Sequence, residues 1–486
     1  MLQLIQRHSL AFRLSLLSFV TLYLELAFIR FTSAEVLYLG YFSNFILIAV
    51  FLGIGLGFLM SEKRFSVFGF VPQILLLSIA FVLLTHIDAT YLRENLGQLF
   101  FGHPATPLRL PLWLSLGLLF GFSATIFAGL GQETARCFSA FRPIVAYSLD
   151  IGGSLAGIFV FTLHSYMGAS PSSWFAVAFL LIAVLSYRHS VLNAVVMGLG
   201  AILLVVAAAP AHYTEWSPYQ RIEVWPLEHR GQVLGYDLAA NGIGHQTMLP
   251  VGLKEPVYDF PFTEIVEWRG GKGYDDVLII GAGAGTDVSY ALHYGAKSVD
   301  AVEIDPVIHK AGVRLHPAHP YADHRVSTFI DDGRAFLERS RKNYDLIIFA
   351  LPDSLASLSN FGNIRLESFL FTIQSFQQAS KRLKPDGVLV LYNYYRRVLE
   401  DLRQHARQLT EVFKHSPVVR AYSDDTSIDE RRNMLAALAI GPRLAGEERG
   451  RSAVVPATDN WPFLYMLAPH LPPMYLGIMV LFVACG

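Results

Sequence analysis

The sequence is poor in cysteine and in charged residues. Only Cys137 and Cys485 occur among 486 residues, and both lie in or beside apolar stretches, which excludes a disulfide framework and a CxxC metal pair. The formal net charge is −1, and no run of lysine and arginine offers the cationic surface that nucleic acid requires. Nucleic acid is therefore not an expected partner.

Apolar residues are abundant where charge is scarce. Hydrophobic residues make up 53% of the chain and charged residues 16%, which is too apolar for an ordinary soluble protein. Seven apolar stretches approach the roughly 20 residues that a membrane-spanning helix needs. They cover 14–31, 42–60, 68–87, 112–130, 144–166, 173–187 and 191–209, of which the sixth is short. The sequence therefore predicts a multi-span helical membrane domain over residues 1–209.

Basic residues indicate the orientation of these stretches. They occur in the N-terminal segment and after the second, fourth and sixth stretch, at Arg7, Arg13, Lys63, Arg64, Arg136, Arg142 and Arg188. By the positive-inside rule these positions are cytoplasmic, and so is the N-terminus. Seven complete crossings would then place the chain from residue 210 outside the cell. This conflicts with the motifs of that part, which suit a cytosolic ligand. We favour a miscounted stretch over an inverted orientation.

Two acidic residues lie within the predicted spans. Glu25 and Asp150 are costly at membrane depth, and such residues are often functional. Both also lie near span ends, where pairing within the bundle would account for them. The small residues of "IGGSLAG", 151–157, are expected to permit close packing of helices.

The pattern changes after residue 210. Residues 210–262 alternate apolar and polar side chains, with turn signals at 229–231 and at Asn241-Gly242, which predicts a small antiparallel β module. In residues 263–445 short β-rich runs alternate with helical patterns, which predicts an α/β Rossmann-like domain. Residues 446–473 are expected to form a linker, and 474–486 to begin a further membrane helix that is too short to span a bilayer.

Three strand ends in the α/β domain carry residues that suit an adenosine-containing ligand. Gly281, Gly283 and Gly285 follow the first strand, where glycine lets the backbone turn tightly and approach a ligand. Glu303 ends the second strand, 22 residues after Gly281, and can accept hydrogen bonds from ribose hydroxyls. Asp332 ends the third strand and either receives an adenine amino group or caps a helix.

The sequence disfavours two other kinds of site. A dinucleotide dehydrogenase is disfavoured because Thr286 and Asp287 stand where GxGxxG has its third glycine. The segment "HPAHPYADH", 316–324, holds three histidines, but its prolines predict a surface loop, and no cysteine or well-spaced carboxylate completes a ligand set. No metal is therefore expected.

The motifs "VLIIGAGAGTD", "AVEIDP", "DDGRAF" and "LKPDGVLVL" together resemble the spermidine synthase family, aminopropyltransferases of the class I methyltransferase fold. The resemblance covers roughly residues 213–440, and "SPYQRIEV" is similar to the family's N-terminal β domain. Preceded by seven spans, with "LELAFIR" and "TDNWPFLYM" outside the soluble domain, the chain resembles membrane-fused relatives from bacteria. This implies a multi-pass protein of a bacterial-type inner membrane, in contact with the lipid bilayer, with its soluble domain in the cytoplasm.

The resemblance implies roles for individual residues. Gly281, Gly283, Gly285, Glu303 and Asp332 would hold the nucleoside of decarboxylated S-adenosylmethionine, or of S-adenosylmethionine itself. A small-molecule amine would be the second substrate. The side chains expected at the amine are Tyr219, Gln220, Gln246, Tyr392 and Tyr394, with Asp353 after the fourth strand as the catalytic base.

Departures from the family keep other functions open. The soluble enzymes carry two aspartates in a DxxD pattern after the fourth strand, where this chain has Ala350 and Asp353. Ala284 also replaces the aspartate of the GGDG turn, and the "DE" pair after Gln246 is missing. A methyltransferase that uses S-adenosylmethionine is one alternative. A non-catalytic nucleotide domain that regulates a transporting or sensing bundle is another, and self-association is also open.

Overall fold

The structure is a computed structural model that describes residues 2–36, 39, 44–85, 111–186, 190–209, 213–254, 256–350, 366–395, 400–422, 434–446 and 455–462. The chain divides into two compact units. The first comprises Met1–Leu96, Phe100–Trp225 and Asp237–His245, and the second Gly97–Leu99, Pro226–Tyr236 and Gln246–Gly486.

All seven predicted apolar stretches contain helices. These are α1 (Leu2–Glu35), α2 (Asn44–Leu59), α3 (Val71–Thr85), α4 (Leu112–Phe138), α5 (Pro143–Tyr166), α6 (Pro171–Leu185) and α7 (Val191–Ala207). Four segments are long and apolar enough to cross a membrane, namely Ser9–Glu35, Phe68–Thr85, Trp113–Phe138 and Pro143–Tyr166. The helices α2, α6 and α7 are apolar but shorter, so complete crossings by all seven helices stay a prediction.

Glycines bring these helices into close contact, as "IGGSLAG" predicts. A Cβ atom at Gly153 of α5 would lie 2.2 Å from the carbonyl oxygen of Ser15 in α1, and one at Gly157 would lie 2.4 Å from that of Phe19. Only residues without a side chain permit this approach. Asp150, one turn before Gly153, accepts a hydrogen bond from the Ser18 hydroxyl at 2.6 Å. The predicted pairing of Asp150 within the bundle is thereby confirmed.

A four-stranded sheet follows the helices in the chain. Its order is β1-β2-β3-β4, with β1 (Tyr213–Trp216), β2 (Arg221–His229), β3 (Gln232–Ala240) and β4 (Ile243–Met248). The two-residue turns Arg230-Gly231 and Asn241-Gly242 have positive φ at both positions. This conformation matches the twist of paired strands and is favoured by Asn-Gly, so both predicted turns are confirmed.

The second unit contains a seven-stranded sheet of order β10-β11-β9-β8-β5-β6-β7. Its strands are β5 (Asp276–Ile280), β6 (Ser298–Glu303), β7 (Val326–Ile330), β8 (Tyr344–Ala350), β9 (Leu383–Tyr395), β10 (Val418–Tyr422) and β11 (Met434–Ile440). Its helices are α8 (Glu264–Trp268), α9 (Thr286–His293), α10 (Pro306–Leu315), α11 (Gly333–Arg339), α12 (Ile373–Lys381) and α13 (Glu400–Phe413).

Strand direction confirms the Rossmann-like prediction. Strands β9, β8, β5, β6 and β7 are parallel, and β11 runs antiparallel to both β9 and β10. Each central strand is buried on both faces: Val277 and Ile279 belong to one apolar cluster, and Leu278 and Ile280 to the other. The carboxyl ends of the parallel strands therefore form one row, and the predicted site residues follow these ends.

Candidate active site

The turn after β5 requires its glycines. Gly281, Gly283 and Gly285 have φ values of 77°, 56° and 100°, a region that disfavours other residues. A Cβ atom at Gly283 would lie 2.4 Å from the Gln246 Oε1 atom, and one at Gly285 would lie 2.7 Å from the Pro320 Cγ atom. The turn is therefore closely covered by side chains from distant segments.

Glu303 lies beside this turn. Its Oε2 atom accepts a hydrogen bond from the Gly283 amide and its Oε1 atom one from the Asp305 amide, both at 2.8 Å. Burial raises the pKa of Glu303 to about 7, although hydrogen bonds from backbone amides act in the opposite direction. A carboxylate has about four acceptor positions, so the Gly283 and Asp305 amides do not exhaust its capacity to accept hydrogen bonds from ribose hydroxyls.

Asp332 is the N-cap residue of α11. One oxygen, Oδ1, accepts a hydrogen bond from the Ala335 amide at 2.8 Å, which confirms the capping interpretation of this residue. Capping places the carboxylate at the start of the helix that follows β7, next to the strand of Glu303 in the sheet. The contact with an adenine amino group stays a prediction.

Gln246 contacts the glycine turn directly. Its Oε1 atom accepts a hydrogen bond from the Ala284 amide at 2.8 Å, and its Nε2 atom donates one to the Thr286 hydroxyl at 3.2 Å. The side chain therefore holds the turn that the nucleoside is expected to approach. Its contact with the amine stays a prediction.

Segment 316–324 also covers the glycine turn. The Tyr321 hydroxyl donates a hydrogen bond to the Gly283 carbonyl at 2.7 Å. His316 and Pro320 are buried, so the prediction of a surface loop is wrong for these two residues, although His319 and His324 are exposed. The glycines leave room that Pro320 and Tyr321 fill, and this draws the segment inward.

Burial also determines the protonation state of His316. The pKa of His316 is lowered to about 4, chiefly by burial and further by the charges of His319 and Lys254, so its imidazole is neutral near pH 7. Within the described part of the chain, no group of three His, Cys, Asp or Glu side chains is placed to hold a metal ion.

The sequence does not predict that the acid at the start of α9 is buried beside the glycine turn. Asp287 is 5% exposed, and burial raises its pKa to about 7 while the nearby Lys254 charge opposes this rise. The sequence offered little signal, because an acidic residue in the first turn of a helix is common. Lys254 and Tyr321 were not predicted either, because only the tertiary fold brings Tyr321 to the turn and Lys254 to the Tyr258 ring.

Ala350 ends β8, and the facing part of β9 carries an aromatic side chain. Ala350 is paired with Tyr392 on the neighbouring strand, and both are buried in the same apolar cluster. The Tyr258 ring lies 5.7 Å from that of Tyr392 and 5.6 Å from that of Tyr290, between centroids. The Lys254 ammonium lies 5.3 Å from the Tyr258 ring centroid.

The remaining predicted site residues are placed elsewhere. The amides of Tyr219 and Gln220 donate to the Ser217 hydroxyl at 3.1 and 3.0 Å, in the turn between β1 and β2, and the Tyr219 side chain is 53% exposed. Both belong to the first unit, and their roles stay predictions. Asp353 lies outside the described residues, as does the side chain of Tyr394, whose backbone belongs to β9.

Comparison with known proteins agrees with the motifs. Residues 251–423 match the spermine/spermidine synthase domain. A polyamine aminopropyltransferase of Agathobacter rectalis is 32% identical over 209 residues, which cover 42% of this chain and 67% of the relative. A polyamine aminopropyltransferase of Clostridium perfringens is 28% identical over 216 residues, covering 43% and 69%.

Solved structures of similar proteins include a spermidine synthase in complex with the transition-state analogue AdoDATO. It is 20% identical, with a TM-score of 0.37, and the match covers 48% of this chain and 73% of that protein. The assignment to a family rests on the sequence matches and not on this structural match. On their strength, the chain belongs to the spermidine synthase family of polyamine aminopropyltransferases.

Proposed function

We propose that the protein is a membrane-anchored aminopropyltransferase, which moves an aminopropyl group from decarboxylated S-adenosylmethionine to a small amine. The family uses this sulfonium as its aminopropyl donor. The observation that supports the proposal best is the row of groups at the ends of β5, β6 and β7. There the glycine turn, Glu303 and Asp332 offer the three contacts that an adenosine needs.

The nucleoside is proposed to bind with its ribose on Glu303. The backbone at Gly281, Gly283 and Gly285 would pass close to the ligand, because no side chain intervenes. The Oδ2 atom of Asp332 would accept a hydrogen bond from the adenine amino group, while its Oδ1 atom continues to cap α11. Gln246 and Tyr321 would keep the turn in place, through the hydrogen bonds described above.

The transfer is an in-line displacement. The nitrogen of a neutral amine attacks the propyl carbon bound to the sulfonium, a carbon–nitrogen bond forms, and the carbon–sulfur bond breaks. The products are the aminopropylated amine, 5′-methylthioadenosine and a proton. We assign acceptance of this proton to Asp353. Tyr392 and Tyr394 are proposed to line the pocket around the amine. Tyr219, Gln220 and Gln246 are proposed to contact the amine.

A methyltransferase is the second candidate, favoured by Ala350. Its methyl side chain, 6% exposed, occupies the strand end where the soluble relatives have an aspartate. Such a site could take S-adenosylmethionine and transfer its methyl group instead.

In a third candidate, the nucleotide domain only regulates the helices. Alanine at both Glu25 and Asp150 would then abolish a cellular phenotype that survives loss of Asp353.

Membrane anchoring and cytoplasmic placement of the second unit are part of the proposal. They are supported by the four helices whose length and composition suit a bilayer, and by the distribution of basic residues. A homo-oligomer is compatible with this arrangement. Protease protection in inverted and right-side-out vesicles would test the placement, and cleavage of the second unit only from the periplasmic side would contradict it.

The test of the activity uses the purified full chain in detergent. It is incubated with putrescine and either decarboxylated S-adenosylmethionine or S-adenosylmethionine, and the products are identified by mass spectrometry. We expect an aminopropylated amine from the first mixture only. Asp353→Asn should lower turnover roughly 100-fold or more, as loss of a general base does.

The alternatives give distinct results in the same assay. A methylated product from the second mixture would establish the methyltransferase. An unchanged rate in Asp353→Asn would remove this residue from the mechanism. Binding of either sulfonium without turnover by any amine would indicate a regulatory domain.

A further inference from the structure

Glu25 is a buried acid near the middle of α1. It lies three residues beyond Leu22, the midpoint of the apolar segment Ser9–Glu35, and its side chain is 6% exposed. The sequence suggests pairing within the bundle, but no hydrogen bond or ion pair joins Glu25 to any residue that the structure describes. A carboxyl group at such a depth is costly unless a partner compensates it, and it is often functional. Glu25 is therefore available to a ligand.

The charged groups around Glu25 are engaged elsewhere. The helices that pack against α1 are α2, α3, α4, α5 and α6, of which α2, α3 and α6 contain no charged residue or histidine. The described charged and histidine side chains of α1, α4 and α5 have partners other than Glu25: Arg13 with Glu133, Arg136 with Glu133, Asp150 with Ser18, His164 with Tyr23, Arg30 with Ser217, and Glu35 with Arg221. None of these groups neutralises Glu25 through a described ion pair.

The ion pair between Arg13 and Glu133 relates the levels of α1 and α4. The Nη2–Oε2 distance is 2.9 Å. Glu25 lies twelve residues after Arg13, and Ser123 lies ten residues before Glu133. Both helices extend from this pair through the same bundle, so a rise of about 1.5 Å per residue places Glu25 and Ser123 about 18 and 15 Å from it. The two side chains therefore lie at nearly the same level.

Ser78 of α3 is a second polar group at this level. Its side chain is 0% exposed, and its Oγ atom has no hydrogen-bond partner in the described part of the chain. The Phe81 ring, three residues further along α3, lies 5.7 Å from the Phe122 ring of α4, so Ser78 is within about one turn of the level of Ser123. Buried hydroxyls normally have a partner, and serine in a helix can donate to the carbonyl four residues earlier. Ser78 makes no such bond and is open to a ligand.

Two further hydroxyls provide acceptor oxygens. Thr21 lies one turn before Glu25 on the same face of α1, and its hydroxyl donates to the Leu17 carbonyl at 2.8 Å. The Ser123 hydroxyl donates to the Leu119 carbonyl at 2.7 Å. With the hydrogen directed at the backbone, each oxygen presents only lone pairs. Lone pairs beside a carboxylate suit a cation and disfavour an anion.

We propose that Glu25 binds a monovalent cation inside the helical bundle, with the hydroxyl oxygens of Ser78, Ser123 and Thr21 as further ligands. One carboxylate balances one positive charge. The cation replaces the proton of the carboxyl group, and this proton is released to water. Oxygen acceptors of this kind suit an alkali ion and equally the ammonium group of an amine, which has three N–H donors. The site belongs to the first unit and goes beyond the aminopropyl transfer proposed for the second.

The experiment labels the full chain in detergent with dicyclohexylcarbodiimide, which forms a stable N-acylurea with protonated carboxyl groups in apolar surroundings. Peptide mass spectrometry follows labelling of Glu25 over time. We expect saturating sodium, potassium or methylammonium chloride to slow this labelling about tenfold or more, relative to choline chloride at equal ionic strength. The salt that protects distinguishes an alkali ion from an ammonium group. Half protection should require more of that salt at lower pH, because protons compete for the same carboxylate.

The labelling of the wild type decides without any variant. No labelling of Glu25 between about pH 6 and pH 9 would overturn the proposal, because a protonated acid in apolar surroundings reacts in this range. Labelling that none of the three salts slows would also overturn it, because Glu25 would then bind only protons. Glu133 serves as an internal control, since its two arginine partners should keep it unlabelled.

Two serine variants test the second ligand. Ser78→Ala should raise the salt concentration for half protection about tenfold, because one contact to a charged group is lost. Ser186→Ala is the matched control: Ser186 is 3% exposed, but its hydroxyl donates to the Ile182 carbonyl at 2.7 Å, next to Leu185, whose carbonyl accepts from Arg13. This variant lies at the level of the Arg13 pair and should leave the protection unchanged. Equal effects of the two substitutions would overturn the role of Ser78.

Discussion

Arg334 and Asp459 form a two-point ion pair. The Nη1–Oδ1 and Nη2–Oδ2 distances are both 2.6 Å, and the Thr372 hydroxyl also donates to Asp459 Oδ1 at 2.7 Å. The pair fixes residues 455–462, part of the predicted linker, beside α11 and α12. Arg334 follows the α11 cap residue Asp332 by two positions, so the returning chain is tied to the adenine end of the proposed site.

Breaking this pair should destabilise the second unit. Asp459→Asn should lower the free energy of unfolding by about 1–2 kcal/mol, because a bidentate pair with 18% and 35% exposed side chains exceeds an ordinary surface pair. Thermal unfolding of the full chain in detergent, followed by near-ultraviolet circular dichroism, measures the loss. Asp331→Asn is the control: it breaks the pair with Arg339, which is 67% exposed, and should change stability by about 0.5 kcal/mol or less.

Binding of the nucleoside should depend on pH through Glu303. Ribose hydroxyls donate to the carboxylate form, and with a pKa of about 7 this form is about one tenth populated at pH 6 and about nine tenths at pH 8. The Kd for 5′-methylthioadenosine should therefore fall about tenfold from pH 6 to pH 8. Isothermal titration calorimetry at both values measures this.

Glu303→Gln should bind more weakly and lose this pH dependence, whereas Asp287→Asn should retain it. If the Kd of the wild type is constant across the range, Glu303 is not the group that receives the ribose.

The glycine turn should not tolerate a methyl group at position 285. Gly285→Ala combines a φ of 100° with a 2.7 Å approach to the Pro320 Cγ atom, and should cost about 1–3 kcal/mol of stability. The displaced turn should also weaken binding of 5′-methylthioadenosine about tenfold or more. Gly273→Ala is the control, because a Cβ atom there meets open space at an ordinary φ. Equal effects of the two substitutions would contradict the steric argument.

Asp287 should make stability fall as pH rises. The folded state keeps its proton up to about pH 7, whereas the unfolded state releases it near pH 4, so its contribution to stability is lost between these values. Asp287→Asn cannot release this proton. Relative to the wild type, the variant should therefore be more stable at pH 8 than at pH 5, by on the order of 2 kcal/mol. Denaturant titrations at both values test the sign, and an opposite trend would exclude a raised pKa.

The sequence predicted the parts of the site that local patterns encode. Continuous apolar runs predicted strands buried on both faces, and the residues after them had to lie at one edge of a parallel sheet. Gly283, Glu303 and Asp332 are therefore predicted to lie at this edge, and the structure places them there. The capping of Asp332 is only one of two alternatives in the sequence, because a helix cap and a ligand contact need the same residue type at the same place.

Long-range contacts could not be predicted in this way. Tyr321 reaches the glycine turn, and Lys254 reaches the Tyr258 ring, from segments whose local patterns indicate only loops. Two prolines made segment 316–324 look like surface, yet the space above Gly285 buries Pro320. Such placement depends on which cavities the remaining fold leaves open, and no single-sequence periodicity contains that information.

The two backbone bonds to Glu303 have a consequence for how a ligand arrives. The Gly283 and Asp305 amides fix both carboxylate oxygens before any nucleoside is present, so the acid need not search rotamers on contact. Rigid, prepositioned groups reduce the entropy lost on association. A homologue with aspartate at this position would be one methylene too short to reach both amides. It would therefore recognise ribose with a mobile acid and pay for that mobility in a faster release of the nucleoside.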